Sequence, residues 1–172
     1  MENSMMDNKA LKDVFAKQQK QNVGEELHSD SEHIVQLIGF VVGTEEFAVP
    51  ILNVKEIIKP IDFTRVPGTP NYVMGVFNLR GNVYPLINLR MKFGIPQTKQ
   101  DKDTRYLVVN HNDEIAGFVI DKLTEAIRID ENQIDPIPDT FNEQENLLYG
   151  IAKQGDRLTT ILRVDNLLKR TF

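Results

Sequence analysis

Two apolar runs, residues 73–79 and 83–89, flank the tripeptide Arg80-Gly81-Asn82. Gly81 and Asn82 both accept positive φ, so the centre reads as a tight β-hairpin. Val73, Gly75, Phe77 and Leu79 form one face of the first strand, and Val83, Pro85, Ile87 and Leu89 one face of the second. A hairpin with one solvated face alternates apolar and polar residues. Here Met74, Val76, Tyr84 and Leu86 make the opposite face apolar as well. One face must cover a core, and the other requires a second layer or a partner. Pro85 removes a ladder donor, which favours an edge strand or a bulge. Arg80 places a guanidinium at the tip.

The same alternation predicts most of the remaining elements. Residues 34–42 and 47–49 form a hairpin around Gly43, ended by Pro50. Residues 54–58 form a short strand or a helical turn, stopped by Pro60. Residues 62–70 hold two prolines and a glycine and read as a loop, residues 88–93 allow one helical turn, and residues 98–103 form a charged linker. Strands are expected at 106–109 and 115–120, with residues 123–127 following and then a loop containing Pro136 and Pro138. Residues 147–152 and 158–162 flank Gly155-Asp156, a second Gly-Asx hairpin signal. Residues 164–169 predict a short C-terminal helix with Asp165 in its first turn.

These elements recur in order. Phe40-Val-Val42, a loop, Phe47-Ala-Val49 and Val54-x-Glu56-x-Ile58 are answered by Leu107-Val-Val109, a loop, Ile115-Ala116 and Leu123-x-Glu125-x-Ile127. Residues 75–89 are answered by 150–164. The order suggests two similar small β-barrels of about five strands each. Neither could bury much surface alone, so the two should share a core and enclose a groove, a natural place for binding. Residues 1–33 stand apart. They are polar, and their apolar residues are sparse, so a flexible leader is expected. Leu11, Val14 and Phe15 have the i, i+3, i+4 spacing of a short amphipathic helix over residues 8–19, which could instead dock on the body or on a partner.

Composition narrows the function. The chain has 172 residues, 41% of them hydrophobic, enough for one large or two small domains. Its net charge of −5 argues against nucleic acid as a ligand. It contains no cysteine, and no apolar run approaches the ~20 residues of a membrane span. The N-terminus lacks the order of a signal peptide, so a soluble cytoplasmic protein is expected. No catalytic constellation is visible. Ser4, Ser29 and Ser31 all lie in the leader, so a serine triad is excluded. His28, His33 and His111 lack metal-ligand spacing. Gly75 and Gly81 lie within a hairpin and not before a helix, so they do not form a phosphate loop. Glu45-Glu46 and Asp113-Glu114 fall in turns, where solvated charge is the ordinary reading. No cofactor or metal is expected. The choice lies between a protein-binding module and a small-ligand-binding β-barrel, with an enzyme third.

Gly75-Val-Phe-Asn-Leu-Arg-Gly81, followed by Pro85 and Leu89 and preceded by Val54-Lys-Glu-Ile57, resembles the signature of the CheW family. Asp121 after Gly117-Phe-Val-Ile120 matches the family's second half. The resemblance spans about residues 34–169. It implies an all-β fold, with two SH3-like five-stranded barrel subdomains around a shared hydrophobic core and a short C-terminal helix. The leader would occupy 1–33 and the CheW-like domain 34–172. The first barrel would run roughly over 34–97 and the second roughly over 104–163, with interleaving of strands allowed. It implies a non-enzymatic chemotaxis adaptor, cytoplasmic and placed at membrane-associated chemoreceptor arrays, without inserting into the membrane. Its partners would be the regulatory domain of a CheA-type histidine kinase and the cytoplasmic tip of methyl-accepting chemoreceptors. Residues matching the family's partner-binding positions are Val54, Glu56, Gly75, Arg80 and Ala126. Two features depart from the family's usual pattern: the length of the leader, and Phe77, which is bulkier than the residue often found there.

The sparse apolar content of the leader carries a first prediction. Deleting residues 1–33 should leave the melting temperature within about 2 °C of the full chain, on a scale where ~1 kcal/mol shifts a domain of this size by a few degrees. Loss of cooperative unfolding on truncation would show that Leu11, Val14 and Phe15 dock on the body.

Overall fold

The computed structural model describes residues 33–138, 140 and 146–169; the expected leader helix lies outside them. Eleven strands form two sheets. In chain order these are β1 (Ile34–Val42), β2 (Glu45–Pro50), β3 (Val54–Ile58), β4 (Val73–Leu79), β5 (Asn82–Asn88), β6 (Arg105–His111), β7 (Glu114–Ile120), β8 (Lys122–Asp130), β9 (Ile134–Pro136), β10 (Leu148–Gln154) and β11 (Arg157–Leu162). Two short helices, α1 (Leu89–Lys92) and α2 (Val164–Lys169), follow β5 and β11, as the pattern predicts. The six-stranded sheet has the order β8-β1-β2-β11-β10-β9, and the five-stranded sheet β3-β6-β7-β5-β4.

The repeat is real in the topology, but its halves are exchanged. Hairpin β1–β2 takes its neighbours β8 and β11 from the second half of the chain, and hairpin β6–β7 takes β3 and β5 from the first. The joins β2–β11 and β5–β7 are parallel, the other pairings antiparallel. The fold is therefore all-β with a short C-terminal helix, as expected. Closure into two barrels is not seen, because neither sheet pairs its first strand with its last among the described residues.

Three apolar clusters explain why strands here are apolar on both faces. A shared cluster takes Phe40, Phe47, Ile87, Leu107, Val109, Phe118, Leu162 and Leu167, so it draws on both sheets and on α2. A second cluster, with Val35, Leu37, Ile127, Ile129 and Ile161, belongs to the six-stranded sheet. A third, with Phe77, Leu86, Tyr106, Val108 and Val119, belongs to the five-stranded sheet. Strand β1 serves two of them. Val35 and Leu37 point into one core, whereas Phe40 and Val42 point into the other. Ordinary alternation does this: the β1–β2 register is unbroken, so odd positions of β1 face one core and even positions the other, while the β1–β8 register shift beside Gly39 places its extra residue on β8.

The organising hairpin forms with a changed centre. Arg80 has φ 53° and Gly81 φ 86°, so these two residues, and not Gly81-Asn82, make the turn; Asn82 already belongs to β5. Positive φ at both central positions is the type I′ pattern that matches strand twist. The Asn78 carboxamide oxygen accepts from the Gly81 N–H at 3.0 Å and closes the turn. Pro85 lies just before β5 begins to pair with β7 at Leu86, where its missing donor leaves no gap in that ladder. The outer side of β4 meets Thr64, whose N–H and carbonyl both bond Val76 at 2.8 Å. That approach requires glycine at position 75. Its φ is 151°, and a Cβ there would lie 2.0 Å from the Thr64 carbonyl oxygen.

Gly75→Ala should therefore dislodge the Thr64 segment and destabilise the fold by roughly 1–3 kcal/mol. Gly81→Ala meets no atom within 4 Å and suffers only the backbone strain, on the order of 1 kcal/mol. Denaturant midpoints of the two variants, compared with the parent, check the order; equal midpoints would mean that the Thr64 contact contributes nothing.

Candidate functional site

Strands β3 and β4 are opposite edges of the five-stranded sheet. Four spacings of ~4.8 Å would hold them far apart if the sheet were flat. The sheet curls instead, and the tip of β4–β5 reaches β3. The Arg80 guanidinium donates to both carboxylate oxygens of Glu56, from Nη2 at 2.9 Å and from Nε at 3.3 Å. The carboxylate is held by its surroundings, with its side chain 27% exposed, while the Arg80 side chain is 76% exposed. This hydrogen bond lowers the Glu56 pKa below the usual carboxylate value and raises that of Arg80. A group whose folded pKa is depressed contributes above its unfolded pKa and loses that contribution as pH falls through the folded value. The pair is therefore intact near neutral pH.

The local chain builds this arrangement. Pro50 ends β2, and a 3-10 turn at Ile51–Asn53 leads into β3. The buried Asn53 side chain donates to the Asn110 carbonyl at 3.0 Å and anchors the start of β3 against the end of β6. The β3–β6 register then shifts between Val54 and Glu56, leaving Lys55 outside the ladder. A bulge of this kind re-aims the side chain that follows it, here Glu56. On the other side, Arg80 occupies a positive-φ position that costs a non-glycine residue about 1–2 kcal/mol.

Four of the five expected residues thus lie on two facing edges, with different roles in the geometry. Glu56 and Arg80 touch. Val54 is half-buried and packs against the shared core. Gly75 is buried and gives room to Thr64. Ala126 is exposed on β8, in the other sheet.

Thr64 was not visible to pattern reasoning, and neither was a second ion pair. Arg90 of α1 grips Asp121, from Nε at 2.9 and 3.0 Å and from Nη2 at 2.6 Å. Asp121 also accepts the Gly43 N–H at 2.7 Å, and its own N–H donates to the Val41 carbonyl at 3.0 Å. Arg90 Nη1 donates to the Pro96 carbonyl at 2.8 Å. The pair is largely buried, at 17% and 25% exposure, and the hydrogen bonds that Arg90 donates to Asp121 raise the Arg90 pKa. It ties the β1–β2 turn to α1 and to the β7–β8 corner, where the chain passes from one sheet to the other. The motif around Asp121 was legible, but its partner 31 residues away was not.

Among the described residues, no group of His, Asp or Glu side chains could hold a metal ion, and no helix is long and apolar enough to cross a membrane. The space between the sheets, where a ligand-binding barrel would need a pocket, is filled by the shared cluster.

Comparison with known proteins identifies the family. The CheW-like domain family matches residues 36–172. A chemotaxis protein CheW of Helicobacter pylori is 62% identical over 94% of this chain and 98% of its own. The corresponding protein of Bacillus subtilis is 32% identical over 78% of this chain and 87% of its own. Among solved structures, the scaffolding protein CheW of Thermoanaerobacter tengcongensis superposes with a TM-score of 0.70 at 33% identity, covering 74% of this chain and 88% of that one. The fold is that of a class of scaffolding proteins. The chain belongs to the CheW-like family and is a chemotaxis coupling adaptor.

The junction pair carries a prediction about folding. Arg90→Ala removes both the Nε and the Nη2 donors from the largely buried Asp121 carboxylate and should cost about 1.5–3 kcal/mol. Thermal melts of Arg90→Ala and Asp121→Asn check it; a melting temperature equal to the parent's would remove the pair from the account of how the sheets join.

Proposed function

We propose that this protein links the regulatory domain of a CheA-type histidine kinase to the cytoplasmic tips of chemoreceptors. It does so without catalysis, on the cytoplasmic side of the membrane where receptor arrays form. Val54, Glu56, Gly75 and Arg80 make one docking surface, and Ala126 on β8 marks another on the second sheet. The observation that carries the reading is the Arg80–Glu56 pair. An exposed pair of this kind adds little to stability, because solvent screens it and ordering two side chains opposes it. Yet Arg80 is held at a strained backbone position, on a tight turn, and aimed across a seam between two edges. Such a guanidinium is ordered in advance for a partner's carboxylate, and arginine is among the residues that dominate interface energetics. Gly75 acts indirectly, by letting Thr64 brace the strand that carries the turn. The family match and the scaffolding relative support the adaptor reading.

Charge reversal tests it. Arg80→Glu, Glu56→Arg and the double exchange should keep the circular dichroism spectrum and melting temperature of the parent. The single variants should weaken binding to the kinase regulatory domain or to a receptor cytoplasmic fragment by roughly 5- to 150-fold. If Arg80→Glu binds both partners as the parent does, this hairpin is not the docking surface. If it unfolds and the double exchange restores the fold, the pair is an internal lock.

A further inference from the structure

The exchanged repeat places a second Glu–Arg contact on the other sheet. Glu125 of β8 stands where Glu56 stands on β3, in the shared pattern of an apolar residue, any residue, Glu, any residue, Ile. It too lies at a register shift, within the bulge between Leu123 and Ala126, in the pairing of β8 with β1. Gly150 stands where Gly75 stands, and a Cβ there would meet the Asp135 carbonyl oxygen of β9 at 2.8 Å. Arg157, just past the Gly155-Asp156 turn, then reaches Glu125. Three strand spacings separate β8 from β11, roughly 14 Å in a flat sheet, so this contact also spans a curled sheet. Beside it the Gln154 side chain donates to the Arg128 carbonyl at 3.4 Å.

The two contacts differ in one respect. Arg80 has a single carboxylate partner and is 76% exposed. Arg157 is 34% exposed and also donates from Nε to Glu46 of β2, whose carboxylate accepts from the Thr159 hydroxyl at 3.4 Å. Its guanidinium is divided between carboxylates on two strands, one interior to the sheet and one at its edge. Among the described residues β8 pairs on one side only, and Lys122, Leu123, Glu125, Ala126 and Arg128 are exposed along it. Arg157 and Gln154 reach back to β8 from β11 and β10, so the strand is held by these contacts as well as by β1, and Arg157 is the one that acts at the bulge.

We propose that Arg157 is a positioning residue: by joining Glu46 to Glu125 it sets the place of β8, and with it the exposed row that includes Ala126, relative to the rest of the molecule. This rests on the reading of β8 as a docking strand. In partner binding, the first sheet then offers a guanidinium free to exchange its partner, and the second offers a strand fixed in advance.

The test uses the full chain with Arg157→Gln, Arg157→Lys and Ala126→Arg. Amide hydrogen exchange is followed in β8 and in β6–β7, and binding is titrated with a kinase regulatory domain and a receptor cytoplasmic fragment. Arg157→Gln should raise β8 exchange about tenfold and leave β6–β7 unchanged, as expected of a local opening. It should also weaken, severalfold, binding of the partner that Ala126→Arg blocks. Arg157→Lys, which can satisfy one carboxylate at a time, should lie between. Unchanged β8 exchange overturns the proposal, as does a uniform rise across both sheets or a loosened β8 that binds as the parent does. Normal binding of both partners by Ala126→Arg would overturn the docking role of β8 itself, and with it the role given to Arg157. The reading of the β3–β4 edge is judged separately, by Arg80→Glu.

Discussion

The constraint on which this structure depends is that its central strands must be buried on both faces. In β6, Leu107 and Val109 enter the shared cluster while Tyr106 and Val108 enter the core of the five-stranded sheet. In β2, Phe47 and Val49 face the shared cluster, and Ala48 faces the core of the other sheet. A strand without a solvated side needs a layer above and a layer below. Two curled sheets that each wrap a private core and press their backs together provide both. The curl brings outer strands close enough for side chains to span the gap, so the arginine contacts at both hairpin tips follow from the same packing requirement.

Much of this was legible in the sequence, because alternation, turn residues and helix ends are local. The β4–β5 hairpin, α2 and the order of the repeat follow from residues close together in the chain. Less legible was anything decided by a distant neighbour. Asn82 has the better intrinsic tendency to positive φ, yet Arg80 takes that position because the turn must align Leu79 with Asn82. Gly75 looked like one more residue on an apolar face until Thr64 was seen to cross it. The bulge that β8 makes opposite Gly39 is written only in the pairing of β1 with β8. Glu56 and Arg80 were both visible as charges among apolar residues, but only the curl of the sheet makes them partners. The repeat pointed to two similar units, whereas the pairing gives one six-stranded and one five-stranded sheet that exchange hairpins, a choice made by contacts far apart in the chain.

Exposed sheet edges invite unwanted pairing, and natural proteins blunt them. Here β3 is short and bulged at Lys55, β9 is three residues long and ends in Pro136, and β4 is braced at Val76 by the Thr64 segment. An adaptor must nonetheless leave some edge approachable. The structure meets both demands by marking its seams with charge, which discourages indiscriminate strand addition while presenting a specific pattern to a complementary surface.

The exchange of hairpins also bears on how the chain is made. A ribosome releases β1 and β2 first, but the strands that flank them are β8 and β11, which arrive only near the end of synthesis. Strand β3 likewise waits for β6. No stretch of this chain that stops short of β11 holds all six strands of that sheet, so the nascent protein carries doubly apolar strands without their full set of neighbours until β11 is made. Long-range pairing of this kind folds slowly and leaves sticky surface exposed meanwhile. Completion of the six-stranded sheet is thus deferred by topology alone until β11 has emerged.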